Sequence, residues 1–176
     1  MTDRPAVATP TIDPPTMRRT MGHFATGVAV VTTSVDGTPH GMTVNSLTSV
    51  SLSPPLLLVC LTLGARSTDA VTGAGRFAVN VLSARQEHIA LRFARRGEDH
   101  FAGLDVTRGR HRVPVIPDAF AHLECTVERQ FVAGDHLVVI GQVVEVCERE
   151  GEPLGFVGGK FGDVLVHGHE PERWFF

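Results

Sequence analysis

The sequence predicts a mainly β protein with short helices, in which antiparallel strands form a closed or split β-barrel. Runs of β-branched residues such as Val28–Val35 are typical of strands. Asp36-Gly37 is a hairpin signal, and a second turn is expected at Ala133–His136. Helix-like patterns are short, and closing the predicted strands into a barrel removes exposed sheet edges.

The chain has 176 residues, of which 43% are hydrophobic and 20% charged, as in soluble globular proteins. We expect one domain over residues 16–176, preceded by a flexible arm over residues 1–15. The arm contains four prolines among small polar residues and shows no apolar periodicity.

A short helix is expected from a Thr16 cap to about His23, with Met17, Met21 and Phe24 facing inward. The aromatic end of the chain, Trp174-Phe175-Phe176, is an apolar cluster that is expected to pack against something, such as a second subunit. Strands are predicted at 28–35, 39–46, 56–63, 76–82, 120–132, 137–148, 153–157 and 162–167, helices at 67–72 and 84–94, and a loop at 95–118.

Charge and cysteine content limit the partners and the compartment. The net charge of −3 gives no reason to expect nucleic acid or an anionic membrane as a partner. No apolar run approaches the length of a membrane span, and the first fifteen residues lack the apolar core of a signal peptide. Cys60, Cys125 and Cys147 are odd in number and fit buried free thiols in a reducing compartment. We therefore expect a cytoplasmic protein.

Residues 39–67 allow two interpretations. Hydroxyl and amide side chains crowd a strand-like stretch, and an apolar strand then leads to Arg66-Ser67, where a helix is expected to begin. Donors of this kind, with a cation beside a helix N-terminus, suit a phosphate-bearing cofactor. The same residues also suit a solvated edge strand followed by an ordinary Ser N-cap. The stretch alone does not decide between the two.

Other common site patterns are missing. No Gly-x-Gly-x-x-Gly follows a strand, there is no Walker loop, and Gly-x-Ser-x-Gly is absent. No carboxylate or cysteine pattern completes a metal site around the histidines, so no metal is expected. His136 follows a Gly-Asp turn at the rim of the predicted barrel, where it could bind a ligand or simply be solvated.

Taken together, the chain resembles the short-chain flavin reductases that serve two-component flavin-dependent monooxygenases. Residues 16–165 follow the family order. The stretches that carry the resemblance are GHFATGVAVVTT at 22–33, GMTVNSLTSVSLSPP at 41–55, Arg66-Ser67, GRFAVNVL at 75–82, Arg92-Phe93, FAGL at 101–104, Gly134-Asp135-His136 and FVGGKF at 156–161.

The resemblance implies an FMN-binding split barrel with Greek-key-like topology and a homodimer. It also implies NAD(P)H-dependent reduction of FMN or FAD by direct hydride transfer, with no catalytic side chain, and release of the reduced flavin to a partner monooxygenase. The residues implied to bind flavin are Gly41, Met42, Thr43, Val44, Asn45, Ser46, Cys60, Leu61, Thr62, Arg66, Ser67 and Phe93, and those implied to bind nicotinamide are His136 and Phe161.

One departure from the family pattern concerns its frequent Arg-Gly-x-Tyr. Here the corresponding run is Gly158-Gly159-Lys160-Phe161, which lacks both the Arg and the Tyr hydroxyl. Lys160 could supply the charge from a shifted position. Two alternatives to the reductase are a flavin- or haem-binding barrel without turnover and an oxidase of the pyridoxamine-phosphate type.

Overall fold

The computed structural model describes residues 11–97, 99–165 and 168. Helices and strands follow each other in the order α1 Pro14–Met21, β1 Thr26–Gly27, β2 Ala29–Val35, β3 Thr38–Val44, β4 Thr48–Leu52, β5 Pro55–Thr62, α2 Arg66–Ala74, β6 Arg76–Val81, a 3-10 turn Ala84–Gln86, α3 Glu87–Ala94, β7 Thr107–Arg108, β8 Pro114–Val115, β9 Ala121–Ala133, β10 His136–Glu148, β11 Leu154–Val157 and β12 Lys160–Asp163.

The main structural unit is a seven-stranded antiparallel sheet with the strand order β3-β2-β6-β9-β10-β5-β4. A three-stranded sheet, β1-β11-β12, and a two-stranded pair, β7-β8, accompany it. The mainly β fold with short helices predicted from the sequence is therefore confirmed, as is the antiparallel pairing.

Local turn chemistry sets the two long hairpins. Asp36 and Gly37 both have positive φ, 50° and 82°, which is the backbone that a two-residue hairpin turn requires. Gly134, with φ of 61°, opens the turn between β9 and β10, which are 13 residues each. Both hairpins were predicted from these residues.

Alternating burial packs one face of the sheet into the core. In β5, Leu57, Val59 and Leu61 are at most 4% exposed, while the residues between them are half-buried. They join Phe77 and Val139 in one core cluster. A second cluster places Phe93 of α3 against β2 and β11.

The two ends of the large sheet are consecutive strands, β3 and β4, joined by residues 45–47. Within this joint, the Ser46 hydroxyl accepts the Cys60 N–H at 3.0 Å and donates to the Cys60 carbonyl at 3.1 Å. Ser46, which directly follows β3 and Asn45, therefore ties this joint to β5.

The start of the chain differs from expectation. Asp13, not Thr16, caps α1, and its carboxylate accepts the Thr16 N–H at 2.9 Å. Residues 14 and 15, assigned to the arm from the sequence, are the first two residues of this helix, where proline is well tolerated.

The prediction that Met17, Met21 and Phe24 face the core is wrong, since their exposed fractions are 51%, 52% and 69%. Residues 1–10 and the aromatic end at 174–176 lie outside the described residues.

Helix α2 also differs from the prediction. It begins at Arg66 with Ala65 as a cap that offers no side chain, so Ser67 is not an N-cap. Gly73 lies inside the helix, and Gly75, in the left-handed conformation at φ 64°, ends it. Strand β4 was not predicted as a separate strand, because its Ser and Thr residues have weak local signals.

The three cysteines are free thiols in different environments. Cys125 is buried, Cys60 is half-buried and Cys147 is exposed, so the expectation that all three are buried is wrong for Cys147. Burial raises the pKa of the Cys125 thiol to about 12, and the neighbouring Glu124 carboxylate adds to this shift. In the part of the chain that the structure describes, no helix has both the length and the apolar character needed to span a membrane.

Candidate functional site

Three clefts follow one another along β3. The central cleft, about 470 Å³, is lined by Gly41, Met42, Thr43, residues 62–67, Phe93, residues 94–97 and His100. The start cleft, about 410 Å³, is lined by residues 38–41, Arg66, Ser67, Gly97 and residues 99–102. The end cleft, about 230 Å³, is lined by Val28, Thr43, Val44, Asn45, Ala94, Phe156 and Phe161.

The clefts share lining residues and so form one continuous groove. Gly41, Arg66 and Ser67 line both the start cleft and the central cleft. Thr43 and Ala94 line both the central cleft and the end cleft. A strand rises about 3.3 Å per residue, so the groove from residue 38 to residue 45 is roughly 23 Å long.

The N-terminus of α2 opens onto the central cleft. Ala65 makes no side-chain cap, and the N–H groups of Thr68 and Asp69 both bond to the Ala65 carbonyl. The N–H groups of the first helical residues, Arg66 and Ser67, have no partner within the helix. Together with the helix dipole, they present partial positive charge to an anion in the cleft.

Two hydroxyls hold α2 against the strands on either side of the cleft. Ser67 donates to the Gly41 carbonyl of β3 at 2.8 Å, and Thr68 donates to the Thr62 carbonyl of β5 at 2.7 Å. Thr68 is 2% exposed, so this second bond is buried. The helix N-terminus is therefore fixed relative to both walls.

Helix α3 forms the opposite wall. The Thr43 hydroxyl donates to the Ala90 carbonyl at 2.7 Å, which leaves its oxygen lone pair as an acceptor toward the cleft. Gly41 allows closer packing, since a Cβ there would lie 2.7 Å from the Phe93 ring and 3.2 Å from Phe101. Phe101 meets Phe93 edge to face at 5.0 Å between ring centroids.

Arginine side chains line the groove near the junction of the central cleft and the start cleft. Arg66 is exposed and, within residues 11–97 and 99–165, has no ion-pair partner. Arg95 and Arg96 line the central cleft from the opposite side. The site therefore combines three guanidinium groups with a helix N-terminus, which favours a phosphate-bearing ligand.

The end cleft is more apolar. Phe156 and Phe161 lie opposite each other in the β11–β12 hairpin, with ring centroids 5.2 Å apart. The hairpin turn is Gly158-Gly159, with φ of 60° and 79°, which suits glycine. Lys160 is exposed and lines none of the three clefts, and its role as a shifted positive charge stays a prediction.

Most residues predicted to contact flavin do meet in this groove. Gly41, Met42, Thr43, Thr62, Arg66, Ser67 and Phe93 line the central cleft, and Val44 and Asn45 line the end cleft.

Three predicted residues do not line it. Ser46 uses its hydroxyl on the Cys60 backbone, and the Leu61 side chain is 0% exposed in the core. Cys60 is half-buried on β5 outside the three clefts.

The two residues predicted to contact nicotinamide occupy different places. Phe161 lines the end cleft. His136 lies at the start of β10 directly opposite Thr62, a residue of the central cleft, but its ring does not line the cleft. Its Nδ1 is 2.7 Å from the Asp135 carboxylate, and this hydrogen bond lowers the pKa of Asp135.

Sequence reasoning did not assign the residues that follow α3. Arg95, Arg96, Gly97 and His100 line the central cleft from a segment predicted only as loop. The available signal was the group of arginines at 92, 95 and 96 around the end of a predicted helix. Among the described residues, no group of three or more metal-ligating side chains converges.

A family model described as a flavin reductase like domain matches residues 21–165. The chain is 46% identical over 150 residues to a probable flavin reductase of Rhizobium meliloti (strain 1021). That match covers 85% of this chain and 48% of the relative, so the chain spans about half the relative's length.

A second relative is a reductase subunit of a flavin-dependent monooxygenase, HsaB of Rhodococcus jostii (strain RHA1). It is 39% identical over 170 residues, covering 96% of this chain and 87% of the relative. A solved structure of NADH:FAD oxidoreductase SgcE6 from Streptomyces globisporus, in complex with NAD and FAD fragments, superposes with a TM-score of 0.80 at 39% identity. It covers 93% of this chain and 99% of that one.

Proposed function

The chain belongs to the flavin reductase-like family, as its sequence resemblance predicted, and on that premise we propose that it is an NAD(P)H-dependent flavin reductase. Its substrates are a flavin nucleotide, FMN or FAD, and NADH or NADPH. Its product, reduced flavin, passes to a partner monooxygenase. The relatives named above are flavin reductases and a monooxygenase reductase subunit, which supports this assignment.

The observation that carries the proposal is the junction of β3 with α2. The uncapped N-terminus of α2 and Arg66, whose guanidinium has no ion-pair partner among the described residues, line the same cleft as residues 41–43. A flavin nucleotide needs both a phosphate site and a flat, mostly apolar site on one continuous surface. The groove provides the first at α2 and the second at the end cleft.

The residues present fit a flavin laid along β3. Thr43, Val44 and Asn45 contact the ring system in the end cleft, through backbone and side chain. Thr62 and Ser67 border the ribityl chain, and Arg66 binds the phosphate. Phe93 packs against β3 at Gly41, because the missing side chain there lets the aromatic ring approach.

When bound, flavin accepts a hydride directly from the nicotinamide, so the two nucleotides themselves carry out the redox step. The protein binds the two partners, orients them and excludes water from between them. No side chain needs to form a covalent bond or exchange a proton with a substrate carbon. Backbone N–H groups at the end of β3 would stabilise negative charge that develops on the bound ring.

The nicotinamide is proposed to enter beside the end cleft, where Phe161 offers an aromatic face. His136 borders the central cleft through its pairing with Thr62 and is proposed to hydrogen-bond the carboxamide. The Asp135 carboxylate orients this imidazole at 2.7 Å.

The assembly is proposed to be a homodimer of split barrels in the cytoplasm. The two end strands of the large sheet, β3 and β4, follow each other along the chain, and Ser46 between them bonds to Cys60 of β5; both features support closure of the sheet into a barrel. The exposed apolar residues Met17, Met21 and Phe24 support a second subunit packing on α1.

Steady-state oxidation of NADH and NADPH, each measured with FMN and with FAD, tests the proposal. We expect the rate of NAD(P)H oxidation to rise and saturate with added flavin. A yellow protein that binds flavin but leaves NAD(P)H unoxidised would instead be a binding module. Peroxide production from a vitamin B6 amine would favour the oxidase alternative.

A further inference from the structure

We infer that Phe131 and Arg129, on the outer face of β9, bind the adenosine phosphate end of the hydride donor NAD(P)H. The inference rests on the proposed function, because it takes the nicotinamide position beside His136 from that proposal. It assigns two side chains that line none of the three clefts and that the proposed flavin site leaves unused.

The first argument concerns the register of the β9–β10 hairpin. Phe131 lies directly opposite Val138, and Ala133 lies directly opposite His136. Side chains at directly opposed positions, and at every second residue of a strand, share one face of a sheet. Phe131 and His136 are therefore diagonal neighbours, about 7–8 Å apart, on the face that points away from the core residue Val139.

The second argument concerns the route from the central cleft to this face. On β5, Thr62 lies directly opposite His136, and Cys60 lies directly opposite Val138. Thr62 also lines the central cleft. A dinucleotide whose carboxamide is bound at His136 therefore continues along this face toward Phe131, outside the groove that the flavin fills.

The third argument concerns the ring of Phe131. It is 48% exposed, although Val138 opposite it is only 8% exposed. None of the ring contacts within residues 11–97 and 99–165 includes Phe131. A half-exposed aromatic ring on a strand suits a flat purine base, which stacks on aromatic side chains.

The fourth argument concerns charge beside this ring. Arg129 lies opposite Ile140 and two residues before Phe131, so it shares the same face at a distance of roughly 7 Å along the strand. Arg129 is exposed and forms no ion pair with any other described residue. A guanidinium suits the phosphate groups attached to adenosine. The cation beside the ring favours a nucleotide over a second subunit, which is the competing occupant.

Steady-state kinetics with NADH and with reduced nicotinamide mononucleotide, at saturating flavin, test the inference. The mononucleotide has the same reacting ring but lacks the adenosine end. Phe131→Ala is expected to raise the KM for NADH about fivefold or more, since stacking of the base is lost. It should change kcat/KM for the mononucleotide less than about twofold. Arg129→Gln should also raise the KM for NADH.

Val146→Ala is the matched control, because Val146 is an apolar residue of β10 that is 64% exposed and distant in register from His136. It should change neither KM. Flavin dissociation constants, measured by fluorescence, should agree within about twofold among the unmodified protein and all three variants.

An unchanged KM for NADH in Phe131→Ala, or an equal loss with NADH and with the mononucleotide, would overturn the inference while the proposed reductase stands. A molar mass that falls by half in Phe131→Ala, measured by light scattering, would assign Phe131 to a subunit contact instead. Failure of the unmodified protein to oxidise NADH or NADPH with either flavin would overturn the proposed function itself.

Discussion

The Ser67 hydroxyl donates to the Gly41 carbonyl at 2.8 Å and so joins the first turn of α2 to the middle of β3. Both residues line the central cleft and the start cleft. The position of the α2 N-terminus relative to β3 therefore depends on this hydrogen bond, together with the contact of the Thr68 hydroxyl with the Met42 sulfur at 3.8 Å. Several expected effects of substitution depend on it.

Ser67→Ala should weaken binding of both FMN and FAD about fivefold, because a hydrogen bond worth about 1 kcal/mol no longer holds the walls together. Fluorescence titration measures this change. Thr72→Ala is the control, since the Thr72 hydroxyl donates to the Thr68 carbonyl of the same helix, away from the cleft. Equal losses in the two variants would mean that the effect comes from helix stability alone.

Arg66→Gln should weaken FMN binding about tenfold or more, since a hydrogen bond to a charged group is worth about 1.5–3 kcal/mol. Riboflavin lacks the phosphate, so its affinity should remain unchanged. Arg108→Gln, an exposed arginine of β7 outside the clefts, serves as the control. If riboflavin lost as much affinity as FMN, Arg66 would not be the phosphate ligand.

Gly41→Ala should lower the free energy of unfolding by roughly 1–3 kcal/mol, because the new methyl group would lie 2.7 Å from the Phe93 ring. Urea denaturation measures the loss, and Phe93→Leu in the same chain should recover part of it. Gly162→Ala is the control, since a Cβ at this strand position meets nothing within 4 Å. A Gly41→Ala protein as stable as the control would contradict the observed packing.

Stability should fall as the pH rises from about 9 toward 12, because the Cys125 thiol has its pKa raised in the folded state from the ordinary 9.0 to about 12. Below pH 9 the thiol is protonated in both states and contributes no difference. Above pH 9 the unfolded chain releases the proton first, which favours unfolding by about 1.4 kcal/mol per pH unit.

Urea denaturation at pH 8 and pH 10 tests this dependence. Cys125→Ala should lose less stability between the two values than the unmodified protein. Cys147→Ala removes an exposed thiol instead and should behave like the unmodified protein. An identical pH dependence in all three proteins would rule out Cys125 as its source.

His136→Ala should raise the KM for NADH more than it raises the dissociation constant of flavin, because His136 borders the groove only through Thr62. Steady-state kinetics with flavin titration separates the two constants. His111→Ala, a half-buried histidine outside the three clefts, provides the comparison. Equal loss of both affinities would remove the nicotinamide role of His136.

Sequence reasoning succeeded where the signal is local. Asp36-Gly37 and Gly134-Asp135 have the turn chemistry that their hairpins need, and the long strands β9 and β10 follow from it. The stretch 39–67 left two interpretations open, and each applies to a different part. Residues 41–45 line the clefts, whereas Thr48–Leu52 is the mostly exposed edge strand β4.

Prediction from the sequence failed where contacts between residues far apart in the chain determine where a side chain lies. Ser46 looks like a ligand donor in the sequence, but its hydroxyl donates to the carbonyl of Cys60, 14 residues away, and accepts the N–H of the same residue. Arg95, Arg96 and His100 reach the central cleft because α3 packs against β3, and the arginines in the sequence do not by themselves reveal that packing. Met17, Met21 and Phe24 have helical spacing, yet they face away from the core of this chain.

The most direct test of the central claim is anaerobic mixing of the protein, FAD and a slight excess of NADH in a stopped-flow spectrophotometer. We predict that the visible absorbance of oxidised flavin is lost far faster with the protein than without it, and that the loss slows about tenfold or more in Arg66→Gln at subsaturating flavin. An absorbance that falls no faster with the protein than without it, under conditions where flavin is bound, would contradict the assignment as a flavin reductase.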